Sequence, residues 1–449
     1  MSAKSERRVR RESGERASRA GLPAIGLEAE FTTVVDGTPQ QPEDVFGSPR
    51  KVIRGPLVHR TGRSYHLPTG AAVYFDSGVL ELATPMIEIA PACGARATRS
   101  LWEGIAFLRH ELDAWELRTG RSVKLAGFST HYNVSFDVPL AEQRAGKTVE
   151  RLAYLLTHVL AAPVMLLASN RQSTGVGVRP RGNRIEITAD FTPDPELMAA
   201  TATLIVGIVR DVMTWSSYSL DQLDRRAIPV VREFVPIPHS SRKGWVAKYT
   251  CFPANPFTTN VDDVCWTVQG GEQLSLREMA ARTIAHFWPS VQQLGGRPSL
   301  IKIRDVLDAR ATSLLDLDDR PAEYEDVGRL CSWRSNSSTR ALSRSRFERV
   351  LGHAIAGRRL RIEGTWHRPV AMRGWTHVVF RRETDGVRHS RSLDDLLGYL
   401  DAWDGVSERR SADRAVSVAR ERDASTKKTM NAAAPPSPQI VAEDCDQPR

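Results

Sequence analysis

Cysteine is scarce, with five residues in a chain of 449 and no pair in C-x-x-C spacing. Cys93, Cys251, Cys265, Cys331 and Cys445 are odd in number and widely spread. That excludes a disulfide framework and a cysteine zinc site, and it fits a reducing, cytoplasmic setting. A long uninterrupted apolar run is also lacking. The longest, Val149 to Ala168, is broken by Arg151, His158 and Pro163, which suits a buried core helix and not a membrane span. The arginine-rich start has no apolar stretch of the secretory kind. No internal repeat is visible.

Excess charge is confined. The formal net charge is +9. Residues 1–20 hold seven Lys/Arg against three Glu and supply +4 of it, leaving +5 for everything else. Such a small, diluted surplus does not point to nucleic acid; it equally favours ATP or another anion. Residues 1–22 and 406–449 are polar, lack periodicity and read as disordered tails. Residues 23–405 read as the folded domain, with enough apolar sequence for a substantial core.

Within that domain, Leu101, Trp102, Ile105, Leu108, Leu112 and Trp115 give residues 96–118 one apolar face at helical spacing. Asp194-Pro195-Glu196 is a helix start, with a cap, a first-turn proline and an acid at the positive end of the dipole. Ser275 and Glu278 form a capping box.

Four short segments alternate instead, as strands with one polar face do. They are Gly26–Phe31 with Glu28 and Glu30, Val79–Thr84 with Glu81, Thr130–Phe136 with His131 and Asn133, and Arg184–Ala189 with Arg184 and Glu186. The pattern predicts an α+β fold. An antiparallel sheet packs its apolar face on helices near 96–118, 148–169 and 195–214, and its polar face stays open.

Each polar residue alone is an ordinary surface group, and a lone histidine is commonly structural. Together they are unusual. Three of the four faces carry a carboxylate and the fourth carries His and Asn, the groups that hold hard cations. Mg²⁺ takes oxygen ligands, water and phosphate oxygens, and Mn²⁺ accepts an imidazole more readily.

The residues Gly26-Leu27-Glu28-Ala29-Glu30-Phe31, Leu80-Glu81-Leu82-Ala83-Thr84-Pro85, His131-Tyr132-Asn133-Val134-Ser135 and Arg184-Ile185-Glu186-Ile187 resemble, in order, four strands of glutamate–cysteine ligases. These enzymes belong to the carboxylate–amine ligases of the glutamine synthetase-like superfamily. HYNVS is the most specific of the four, and the resemblance spans 26–190. It implies a curved antiparallel sheet forming an open funnel. It implies an ADP-forming, ATP-dependent carboxylate–amine ligase acting through an acyl phosphate. Glu28, Glu30, Glu81, His131 and Glu186 would ligate metal, Mg²⁺ or Mn²⁺. Asn133 and Arg184 would lie near nucleotide or substrate, with Arg184 catalytic. Small carboxylate and amine substrates are the expected partners, with neither membrane nor nucleic acid.

Two positions depart from the family. Thr188 stands where an arginine that contacts phosphate or substrate is usual, so that role is either unfilled or passes to another cation such as Arg184. Tyr74 stands where an acid commonly precedes the Glu81 segment, the nearest acid being Asp76.

Residues 50–66 bring together Arg50, Lys51, Arg54, His59, Arg60, Arg63 and His66. They read either as a solvated loop or as a recognition element for an anionic substrate. Two rivals to the main reading are an amidoligase of the same superfamily that modifies peptides or proteins, and a non-catalytic nucleic-acid-binding protein with this fold. The second would use the basic tail and residues 334–349. Trp333, Trp366 and Trp375 read as core or interface anchors, and His367 and His377 have no metal-spaced partner.

Overall fold

The computed structural model describes residues 23–135, 148–239, 243–331 and 342–405. Both tails, Phe136, Trp333 and residues 334–341 of the 334–349 segment lie outside the described residues. The chain divides into two compact units, Met1–Gly398 and Tyr399–Arg449. Of the second, residues 399–405 are described and are mainly helical.

The first unit is built on strands β1 (Ala24–Val35), β2 (Thr38–Gln40), β3 (Val58–Thr61), β4 (Ser64–His66), β5 (Ala72–Asp76), β6 (Val79–Ala83), β7 (Ile87–Glu88), β8 (Val123–Ser135), β9 (Val176–Pro180), β10 (Arg184–Asp190), β11 (Ile237–Pro238) and β12 (Trp245–Ala247). They form one 12-stranded sheet along the order β11-β12-β9-β10-β8-β1-β6-β5-β4-β3, with β2 and β7 flanking β1. Every pairing in it is antiparallel.

The predicted faces appear as expected. Leu27, Ala29 and Phe31 are fully buried, while Glu28 and Glu30 between them are half-buried. The apolar side is covered by α1 (Cys93–Thr119), α2 (Val149–Ala168) and α3 (Pro195–Met213). Helix α1 packs on β1, β6 and β8, helix α2 on β9 and β10, and helix α3 on β8. The α+β reading, with helices on the apolar face of a curled antiparallel sheet, is what the chain adopts.

Helix boundaries follow the expected signals. Asp194 accepts from the backbone N–H groups of Glu196 and Leu197 at the start of α3. Ser275 and Glu278 make the reciprocal capping bonds of α4 (Leu276–Leu294). Helix α2 is the only described helix long and apolar enough to cross a membrane, and it is packed inside the core. Gly207 lets α3 and α4 meet backbone to side chain: a Cβ there would stand 2.8 Å from the Val291 Cα.

Two further sheets lie beyond the resemblance: the hairpin β13 (Trp266–Thr267) and β14 (Gln273–Leu274), and a meander. The meander runs β15 (Leu360–Ile362), β16 (Thr365–Arg373), β17 (His377–Arg382) and β18 (Arg388–Ser392) in sequence order. Strand β16 packs against β3 of the large sheet.

Candidate metal and nucleotide site

Cross-strand register assembles the site. Glu28 lies opposite His131, and Glu30 lies between Glu81 on one side and Ser129 on the other. Asn133 faces Glu186, and Tyr74 faces Glu81. One device aims the middle strand. A bulge in β8 leaves Phe128 without a partner, because Glu30 pairs with Ser129 and Phe31 with Gly127. Such an extra residue resets the alternation. Val123 and Leu125 point into the core before it, yet Ser129, His131 and Asn133 share the open face after it. Phe128 itself stays 55% exposed beside them.

Glu28, Glu81 and His131 each offer a ligand atom within 4.8 Å of the others. Glu30 is drawn in through His131, whose Nε2 lies 3.6 Å from its carboxylate, while Nδ1 lies 3.4 Å from Glu28. The Ser129 hydroxyl donates to Glu30 at 2.6 Å. Tyr74 donates to Glu81 at 2.5 Å.

The electrostatics describe a place short of positive charge. Burial pushes the Glu28 carboxyl up, but the hydrogen bond and charge of His131, helped by Arg184, outweigh it and hold it at about 2. Burial and the neighbouring Glu28 charge push Glu81 up to about 8, against the Tyr74 hydrogen bond. Burial opposes the charging of His131, yet Glu28 and Glu30 raise it above its ordinary value. Glu28 and Glu81 so close together divide in this way, one held down and the other pushed up, because two neighbouring carboxylates resist ionising together. Two carboxylates and an imidazole, with Glu81 protonated for want of charge, are a donor set suited to Mg²⁺ or Mn²⁺.

The other expected residues fall differently. Glu186 is fully buried, and ion pairs to Arg179 and Arg181 occupy its oxygens; Arg181 donates to both, at 2.8 and 3.1 Å. The structure therefore does not bring Glu186 into the three-residue cluster. Register explains this, since β9 sets Arg179 directly opposite Glu186. Arg184 donates from Nε to the Asn133 side-chain carbonyl at 2.7 Å, so the two expected nucleotide contacts hold one another.

The basic 50–66 segment splits into two kinds of residue. Arg50, Lys51, Arg54, His59 and Arg63 are exposed. Arg60 and His66 turn inward against Trp375, from the β16–β17 turn. Sequence reasoning missed Ser129, Arg179, Arg181 and this Trp375 contact. Ser129 had a signal, being two residues before His131 on a strand, whereas the others depend on pairings between distant segments.

His66 has a consequence for stability. Burial, with the Arg60 charge adding to it, pulls its imidazole down to about 4 from an ordinary 6.5. The unfolded chain therefore takes up a proton before the folded one does. The stability His66 contributes is complete above pH 6.5 and is lost as pH falls towards 4. Urea unfolding at pH 7 and pH 5 should show a smaller pH-dependent loss in His66→Phe than in the wild type. Equal losses would count against this.

No protein-family model matches the chain, and no curated protein matches it in sequence. Among solved structures, the chain is similar to the complex between prokaryotic ubiquitin-like protein Pup and its ligase PafA. The TM-score is 0.47 at 10% identity, covering 86% of this chain and 94% of that chain. The expectation of small-molecule substrates is corrected here. The ligase in that complex is seen with a protein, Pup.

Proposed function

We propose that the chain is an ATP-dependent carboxylate–amine ligase whose substrate carboxylate or amine is borne by a polypeptide. The observation that carries this reading is the convergence of Glu28, Glu81 and His131 on the open face of the sheet. It is supported by the four strand motifs and by an exposed aromatic, Phe128, on the same face.

In this reading a substrate carboxylate oxygen attacks the γ-phosphorus of ATP, giving an acyl phosphate and ADP. An amine then attacks the acyl carbon and expels phosphate, forming the amide. Phosphoryl transfer asks the protein for positioning and charge neutralisation more than for covalent help. Glu28, Glu81 and His131 would hold Mg²⁺ or Mn²⁺, which when bound neutralises phosphate charge. Tyr74 fixes the rotamer of Glu81 through its hydrogen bond. Ser129 does the same for Glu30. Asn133 orients Arg184, whose charge favours an anion over the same face.

The test is ADP release from ATP with Mg²⁺ or Mn²⁺, across peptides with free carboxylates paired with amine donors. Metal-dependent ADP release that needs both partners is expected. Absence of metal-dependent ATP binding would contradict the reading.

A further inference from the structure

Arg60 occupies a second bulge. In the β3–β4 pairing His59 lies opposite Tyr65 and Thr61 opposite Ser64, so Arg60 between them has no partner residue. An unpaired residue at a bulge is free to re-aim its side chain. Here the guanidinium lies 5.3 Å from the ring centre of Tyr74 and 4.9 Å from that of Trp375. Its Nε donates to the Ser64 hydroxyl at 2.7 Å. Tyr74 is the same residue that holds Glu81.

Among the described residues no carboxylate ion-pairs with this arginine, and its two terminal nitrogens make no hydrogen bond. Burial disfavours its charge, and the Glu28 and Glu81 carboxylates nearby favour it. A desolvated arginine ordinarily has a fixed anion as partner, because an unpaired buried charge is costly. Stacking between rings holds a guanidinium flat while its fork of N–H groups stays available. The contrast within the fold is informative: Arg179 and Arg181 are ion-paired with Glu186, and Arg99 with Glu348.

We infer that Arg60, clamped by Tyr74 and Trp375, is the receptor for an oxyanion of the incoming substrates, a phosphoryl or carboxylate group, beside the Glu28–Glu81–His131 cluster. The inference rests on the ligase reading for what the oxyanion is, but its geometry is independent of it. It also gives the C-terminal meander a part in the site. Trp375 is a positioning residue, delivered from beyond the region of resemblance by the β16–β17 turn. Gly374, with φ of +57°, makes that turn.

Calorimetry on the purified full chain tests this with three probes: Mn²⁺ alone, tripolyphosphate with Mn²⁺ present, and hexaglutamate with Mn²⁺ present. Wild type is compared with Arg60→Gln, Arg60→Lys and Trp375→Leu. Unchanged Mn²⁺ binding shows that a variant is folded with its cluster intact.

Arg60→Gln should then weaken one of the two anionic probes at least about tenfold, as expected for losing a charged, bidentate contact. Loss confined to tripolyphosphate assigns the group to the nucleotide, and loss confined to hexaglutamate assigns it to the carboxylate partner. Arg60→Lys and Trp375→Leu should fall between, since each loses the held planar fork but keeps a charge. Wild-type affinity for both anions in Arg60→Gln, with Mn²⁺ binding retained, overturns the inference. So does failure of wild type to bind either anion. Failure of wild type to bind Mn²⁺ counts against the metal-site reading instead.

Discussion

Glu28→Gln is expected to lower Mn²⁺ affinity and metal-dependent turnover by about a hundredfold or more, with little change in unfolding free energy. Glu28 is the ionised member of the cluster, held at about 2 chiefly by His131 against the effect of burial. Glutamine keeps its volume and one acceptor oxygen but removes the charge that draws in a cation. The same change relieves crowding among the carboxylates, since Glu28 is a main cause of the raised value of Glu81 after burial. The variant should therefore fold well while losing function. Calorimetry with Mn²⁺ and denaturant unfolding, run on one preparation, separate the two effects. A variant that binds Mn²⁺ like wild type would remove Glu28 from the metal site.

Glu186→Ala should behave in the opposite way, with a large loss of stability, about 3–5 kcal/mol. Glu186 and Arg179 are both buried, their side chains 1% and 6% exposed. Removing the carboxylate takes the ion-pair partner from a guanidinium that is shielded from solvent. Arg181, 30% exposed, can turn to water and suffers less. Replacing both members of the buried pair, as in Glu186→Met with Arg179→Met, should recover much of the loss, because both desolvated charges go together. Urea unfolding of the wild type and these two variants decides the matter. If Glu186→Ala were as stable as wild type and instead lost Mn²⁺, Glu186 would be a ligand after all and its arginine pairs secondary.

The contrast between these two glutamates shows what sequence can and cannot reveal. Both sit in Glu-centred strands of alternating pattern, and periodicity places both on the polar face. Period 2 and capping chemistry are local, which is why the four strands, the start of α3 at Asp194 and the capping box of α4 were legible. What a carboxylate meets across the sheet is decided by register, which is not local. Arg179 opposite Glu186 and Tyr74 opposite Glu81 follow from hairpin pairings that no single segment specifies. The two bulges are harder still. Nothing in the residues around Phe128 or Arg60 announces an extra residue, yet one sets which face His131 occupies and the other turns an arginine out of a solvated basic loop.

The C-terminal meander was the least legible part. Its strands are short and arginine-rich, and they lack the clean alternation of β1 or β10. Trp375 read as an anchor, which it is in one sense: its ring meets His66 edge-on at 5.0 Å. That the same ring also covers Arg60 depends on the packing of β16 against β3, some 300 residues apart in sequence. The departure at Tyr74 likewise has a physical reading in this fold. A tyrosine there adds no fourth negative charge to the cluster; it donates a hydrogen bond to Glu81 and provides one wall of the arginine clamp.

The central claim is that Glu28, Glu81 and His131 form a divalent-cation site that receives ATP. Titrating ATP into the wild-type protein with Mn²⁺, and again with the metal chelated, tests it most directly. The account predicts saturable ATP binding that requires the metal and is lost together with Mn²⁺ binding in Glu28→Gln. ATP binding of equal strength with and without metal, or no Mn²⁺ binding at all, would contradict it.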